Sequence, residues 1–138
     1  MAKQNEMCIG DVYMMQFTGC GNEQSGLRPG LVFQNNKGNM HSPNIIALPL
    51  TSSIKKAAQP THVLLPAVEC GLSKTSMVLC ENPERMSKDR IGRYITTLPK
   101  KYMKCVAEAS ILASSVISFI DAESLTAIWE RAVRLNSK

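Results

Sequence analysis

What most constrains this chain is a succession of short β-type runs, each closed off by Gly, Pro, Asn or Ser. Val12-Tyr13-Met14-Met15-Gln16-Phe17 follows the Gly10-Asp11 turn and alternates apolar with polar positions, the pattern of a half-buried strand. Leu31 to Gln34, the continuous apolar run Ile45 to Leu50, His62 to Leu65, Met77 to Cys80 and Arg93 to Thr96 are further short β-type segments. About six strands this short and this closely spaced predict a mainly β fold, a strongly curved sheet or barrel rather than a doubly wound α/β domain. Pro49 lies inside the third run and has no N–H for a ladder, so its position must face an edge, a bulge or solvent. The Gly-rich polar stretch from Thr18 to Gly26 reads as a mobile loop, and Asn35-Asn36-Lys37-Gly38-Asn39 as a turn.

Beyond Pro99 the periodicity changes. Met103, Val106, Ala107, Ile111 and Leu112 recur at helical spacing, with Pro99 where a first helical residue is tolerated. Asp121 can cap a second helix whose apolar face is Leu125, Ile128, Trp129, Ala132 and Val133, a face expected to dock on the domain or on a second subunit.

At 138 residues the chain suits one domain. No run is long and apolar enough for a membrane span, and Met1 to Glu6 lacks the apolar centre of a signal peptide, so a cytoplasmic protein is expected. The five cysteines are odd in number, scattered and without a C-x-x-C pair, which argues against a disulfide framework or a structural zinc site. There is no G-x-G-x-x-G opening a helix and no P-loop. Sixteen basic against 11 acidic residues give a formal charge of +5, a modest bias toward a polyanionic partner.

Three segments, in order, carry a resemblance to a known family. They are Gly10-Asp11-Val12-Tyr13, then Glu23 to Asn35 with Arg28-Pro29 at its centre and Gly38-Asn39 and Ser42-Pro43 behind it, then Pro60-Thr61-His62-Val63. With shorter matches through Ser76 to Glu81 and Lys88 to Ile91, the chain resembles the MazF/PemK toxin endoribonucleases over about residues 10 to 120. On that resemblance residues 1–9 are a tail, 10–120 the toxin domain and 121–138 a helical extension past the usual family end.

The resemblance implies an SH3-like small β-barrel with a C-terminal helix, a symmetric homodimer, and single-stranded RNA in the dimer groove. It implies cleavage without metal or cofactor: the 2′-hydroxyl attacks the adjacent phosphorus and leaves a 2′,3′-cyclic phosphate and a 5′-hydroxyl. The protein partner it implies is an antitoxin whose acidic tail occupies the same groove. The catalytic pair maps onto Arg28 and Thr51. A guanidinium can give two parallel hydrogen bonds to phosphoryl oxygens on which charge develops, but with a pKa above about 12 it is a poor base. Arg28 is therefore expected to stabilise phosphoryl charge and to share in proton transfer, and Thr51 to position the phosphate.

For RNA binding the candidates are Glu23, Gln24 and Ser25 in the loop before Arg28, Ser52 and Lys56 after Thr51, and the amides of Gln34, Asn35, Asn39 and Asn82. Amides can read the edges of unstacked bases, and they equally serve turns. Glu81-Asn82-Pro83-Glu84 departs from the family's Glu-Gln-Ile-Arg, with Arg85 displaced by one position. Two other readings stand beside this one. His41 and His62 could act as acid and base around one phosphate, or the chain could be a non-catalytic binding toxin of the CcdB kind that poisons gyrase by contact.

Overall fold

Strand β1 (Asp11–Thr18) is the spine of the fold because it is apolar on both faces. The computed structural model describes residues 6–19, 25–55 and 59–136, with backbone alone at Ser25. Tyr13, Met15 and Phe17 project to one side and pack with Val32, Ile45, Ala47 and Met86. Val12 projects to the other and joins Leu31, Leu48, Leu50, Val63, Leu65 and Val78 in a second core cluster.

After β1 come β2 (Ser25–Val32), α1 (Asn36–His41), β3 (Asn44–Thr51), β4 (His62–Leu65), α2 (Ala67–Cys70) and β5 (Ser76–Leu79). The chain continues through β6 (Glu84–Ser87), β7 (Ile91–Thr97), α3 (Lys100–Leu112) and α4 (Ala122–Asn136). Every strand pair is antiparallel, in the order β4-β5-β3-β2-β1-β7, with β6 also on β3.

The ladder is open. Strands β4 and β7 end it, so a barrel closed by hydrogen bonds, as the resemblance implied, is not what these residues form. At the β4 end α3 supplies cover instead: Val106 and Ala109 enter the cluster that holds Val63 and Leu65. The buried stripe of α3 is narrow, Tyr102 and Met103 followed by Val106 and Ala109, which leaves the expected core positions Ala107, Ile111 and Leu112 exposed.

Two elements differ from the sequence reading. Strand β2 begins at Ser25, inside the stretch read as a loop, because Gln16, Phe17 and Thr18 offer it a partner at Leu27, Gly26 and Ser25. The Asn35–Asn39 turn is a short helix, α1, whose N-cap is Asn35: its Oδ1 accepts from the Gly38 N–H at 2.9 Å. Asp121 caps α4 as expected, accepting from the Ser124 N–H at 2.7 Å. The apolar face of α4 is not docked on the domain: Leu125 is 42%, Ile128 48% and Trp129 66% exposed. One tie of α4 to the domain lies at its end, where the Asn136 side chain accepts from the Asn36 N–H at 2.9 Å.

Candidate functional site

Two prolines decide where the sheet parts. Strands β2 and β3 pair at Val32↔Ala47, Leu31↔Leu48 and Gly30↔Pro49, and the pairing stops there. Pro29, the next residue on β2, has no N–H to donate. On its other side β3 passes from β6, which it pairs through Asn44–Ala47, to β5, which it pairs at Leu50 and Thr51. Pro49 falls in the gap between the two partners, a position where a missing N–H costs no ladder bond.

Carrying the β2–β3 register two residues further would set Arg28 opposite Thr51. By then the strands have separated, Arg28 staying with Met15 of β1 and Thr51 with Met77 of β5. Gly30 holds β2 against β1 at the last residue before the parting. A Cβ there would sit 2.5 Å from Met15 Sδ and 2.8 Å from Phe17 Cζ, so any larger residue must displace those side chains.

The parting opens a cleft of about 480 Å³. Arg28, Lys74 and Arg93 supply its charge, and Thr51, Ser52, Ser53, Ser73 and Ser76 its hydroxyls, over a floor that includes Met14 and Leu50. Among the described residues, no carboxylate and no histidine lines it. Arg28 and Thr51 are both half-buried. The Thr51 hydroxyl oxygen accepts from the Ser53 N–H at 3.1 Å, which leaves its proton to be donated elsewhere. Three cations and several neutral donors in one cleft suit a phosphate-bearing ligand.

Of the residues named from sequence, Arg28, Thr51 and Ser52 come together here. Glu23, Gln24 and Lys56 lie outside the described residues, and Ser25 starts β2 opposite Thr18. Gln34, Asn35 and Asn39 sit at the far end of β2 and β3, where the fold itself uses their amides. Gln34 donates to the Asn44 carbonyl at 3.2 Å, Asn35 caps α1, and the buried Asn39 donates to the Gln34 carbonyl at 2.8 Å. Asn82 lines a separate hollow with Glu81 and Glu84. That turn is clamped to β1, because Glu84 accepts from the Thr18 N–H at 3.2 Å and pairs with Arg90 at 3.1 Å.

The two histidines do not share a site. His62 is bonded to Glu81 at 2.7 Å, and His41 lines a hollow beside Lys37 and Arg134. Lys74 and Arg93, by contrast, were not foreseen. One precedes β5 and the other lies in β7, and no local motif marks either; only the strand order brings them to Arg28.

The chain as a whole is similar to known proteins. A family described as the PemK-like, MazF-like toxin of type II toxin-antitoxin systems matches residues 9–113. Endoribonuclease EndoA of Bacillus subtilis strain 168 is 39% identical over 111 residues, spanning 80% of this chain and 96% of that protein. Endoribonuclease MazF of Staphylococcus saprophyticus is 39% identical over 101 residues, 72% of this chain and 84% of its own. A mycobacterial endoribonuclease solved in complex with its cognate antitoxin is similar at 28% identity and a TM-score of 0.61, covering 78% of this chain and 93% of that one. With the match spanning most of the chain and the sheet and α3 built as described, this chain belongs to the PemK-like, MazF-like toxins of type II toxin–antitoxin systems.

Proposed function

We propose that this toxin is a sequence-specific endoribonuclease that cuts single-stranded mRNA in the cleft between β2 and β3, and so inhibits translation and growth. The observation that carries the reading is the meeting of Arg28 with Thr51 in a cleft whose lining, among the described residues, is cationic and hydroxylic without a carboxylate. Two relatives that share most of the chain are endoribonucleases, which supports the substrate class.

In the proposed reaction the 2′-oxygen of the nucleotide before the cut bonds to phosphorus as the bond from phosphorus to the 5′-oxygen breaks. The 2′-hydroxyl loses its proton and the departing 5′-oxygen gains one, giving a 2′,3′-cyclic phosphate and a 5′-hydroxyl without a metal. Arg28 gives paired hydrogen bonds to the phosphoryl oxygens, where charge accumulates at the transition state. The Thr51 hydroxyl, its oxygen already held by the Ser53 N–H, directs its proton to the same phosphate and fixes the in-line geometry. Ser52 adds a neutral donor beside it.

The assembly proposed around this site is a symmetric homodimer on an SH3-like core, with RNA in the groove between subunits. An antitoxin tail of acidic residues would compete for the same cations, as suits a chain of net charge +5. The similar mycobacterial endoribonuclease forms a complex with its cognate antitoxin, which supports this partner.

The test is incubation with mixed-sequence single-stranded RNA in excess EDTA, with the product ends sequenced. Cleavage at a short recurring motif, with cyclic phosphate ends and loss of activity in Arg28→Ala, is the expected result. RNA left intact by folded wild-type protein would overturn the reading in favour of a contact poison on the same fold.

A further inference from the structure

The cleft carries more positive charge than one phosphate needs, and the surplus is placed on both flanks. In the strand order β5-β3-β2-β1-β7, Lys74 stands at the approach to β5 and Arg93 on β7, with Arg28 of β2 between them. Neighbouring strands lie about 4.8 Å apart, so the backbones that bear the two outer cations are up to about 19 Å apart across the sheet. Serving one phosphate over that distance would need both outer side chains fully extended toward Arg28, whereas phosphates on either side of it can be met without that.

Each outer cation is held by a local device. The β1–β7 register runs Tyr13↔Tyr94 and then Met15↔Ile91, so Gly92 and Arg93 together oppose the single residue Met14. That is a β-bulge, which twists a strand and re-aims a side chain, and Met14 and Arg93 both line the cleft. Gly92 permits it, since a Cβ there would press on the Met14 carbonyl oxygen at 3.3 Å. On the other flank the buried Ser76 hydroxyl donates to the Lys74 carbonyl at 2.9 Å and ties the turn that carries Lys74 to the start of β5. Lys74 and Arg93 are exposed, and neither is in an ion pair among the described residues.

We propose that Lys74 and Arg93 are binding residues for the two phosphates that flank the scissile one, so that an RNA strand crosses the sheet from β5 to β7 with Arg28 at the cut. This rests on the endoribonuclease reading above and adds the path of the substrate. A path through the neighbouring hollow would instead bring the phosphates against Glu81 and Glu84.

The experiment uses the full-length protein and three versions of one cleavable oligoribonucleotide: fully charged, and with an uncharged methylphosphonate at the linkage 5′ or 3′ of the cut. Lys74→Ala and Arg93→Ala are each expected to raise KM about tenfold on the charged substrate, with the loss falling on KM rather than kcat. Each should reduce the slope of log KM against log salt by about 0.7, the share of one phosphate on a single strand. Each variant should become indistinguishable from wild type on one neutralised substrate, and not the same one for both. Lys74→Arg and Arg93→Lys should restore both KM and slope. If both variants keep their full defect on both neutralised substrates, or neither changes the salt slope, the flanking assignment is wrong while cleavage by wild type still stands. If wild type cleaves nothing, the endoribonuclease reading itself has failed.

Discussion

Arg28 brings to the cleft a planar, always-charged donor able to form two parallel bonds, which the single point charge of a lysine does not reproduce. Arg28→Lys is therefore expected to lose most of the activity, and Arg28→Ala to lower kcat about 10²–10³-fold, the usual cost of removing a donor aimed at developing charge. Thr51→Ser should retain most of the rate, because its hydroxyl can still accept from the Ser53 N–H and give its proton to phosphate. Thr51→Val, of equal shape but without the hydroxyl, should fall toward the Arg28 variants. Single-turnover rates with saturating RNA check both pairs, and a fast Thr51→Val would remove Thr51 from the mechanism. At this scale the sequence was legible only through resemblance. Nothing local to Arg28 or Thr51 announces chemistry, and their meeting depends on the register Gly30↔Pro49, set by residues far apart in the chain. Gln34, Asn35 and Asn39 show the converse: amide chemistry read as base recognition is used by the fold for a cap and two carbonyl contacts.

Among the elements, those with clean alternation or an apolar run between turns, β1, β3, β4, β5 and β7, could be read from the chain. Strand β6 was not, because Glu84-Arg85-Met86-Ser87 has one apolar residue and takes its strand form from pairing with Asn44–Ala47. The first half of β2 was hidden by Gly26, Pro29 and Gly30, residues that punctuate loops in most chains. Here Gly30 is required by packing, and Gly30→Ala should destabilise the fold by about 1–3 kcal/mol through overpacking on Met15 and Phe17. Urea unfolding measures this, and an unchanged midpoint would mean that the two side chains move aside at no cost. For α4 the cap makes a pH prediction. The backbone N–H of Ser124 holds the Asp121 carboxyl below its ordinary value of 3.8. A carboxyl lowered in the folded state stabilises the helix fully above its unfolded pKa and loses that contribution as pH falls through the folded value. Amide protection at Ser124 and Leu125 should be flat from neutrality down to the ordinary Asp range and drop below it. Asp121→Asn should remove the dependence, and a drop nearer neutrality would assign the titration to another group.

For the molecule as a whole, the buried clusters are built from the sheet and α3, and no residue of α4 is buried. The family match ends at residue 113, before α4 begins. If residues 121–138 are an extension rather than part of the folding unit, their removal costs little beyond the few contacts at the end of α4, the bond between the Asn36 N–H and Asn136 among them. One such bond is worth about 1 kcal/mol, which for a domain of this size lowers Tm by roughly 3–6 °C. The segment carries three acidic and three basic residues, so the net charge of +5 that favours RNA is kept. A chain ending at Ile120 should therefore unfold cooperatively, melt only slightly earlier and cleave RNA with unchanged salt dependence. A far larger fall in Tm, or one that varies with protein concentration in the full-length chain, would mean that Leu125, Ile128 and Trp129 are covered in solution by another chain. In that case the helix would belong to the assembly, and its apolar face would stabilise a contact that one protomer cannot make alone.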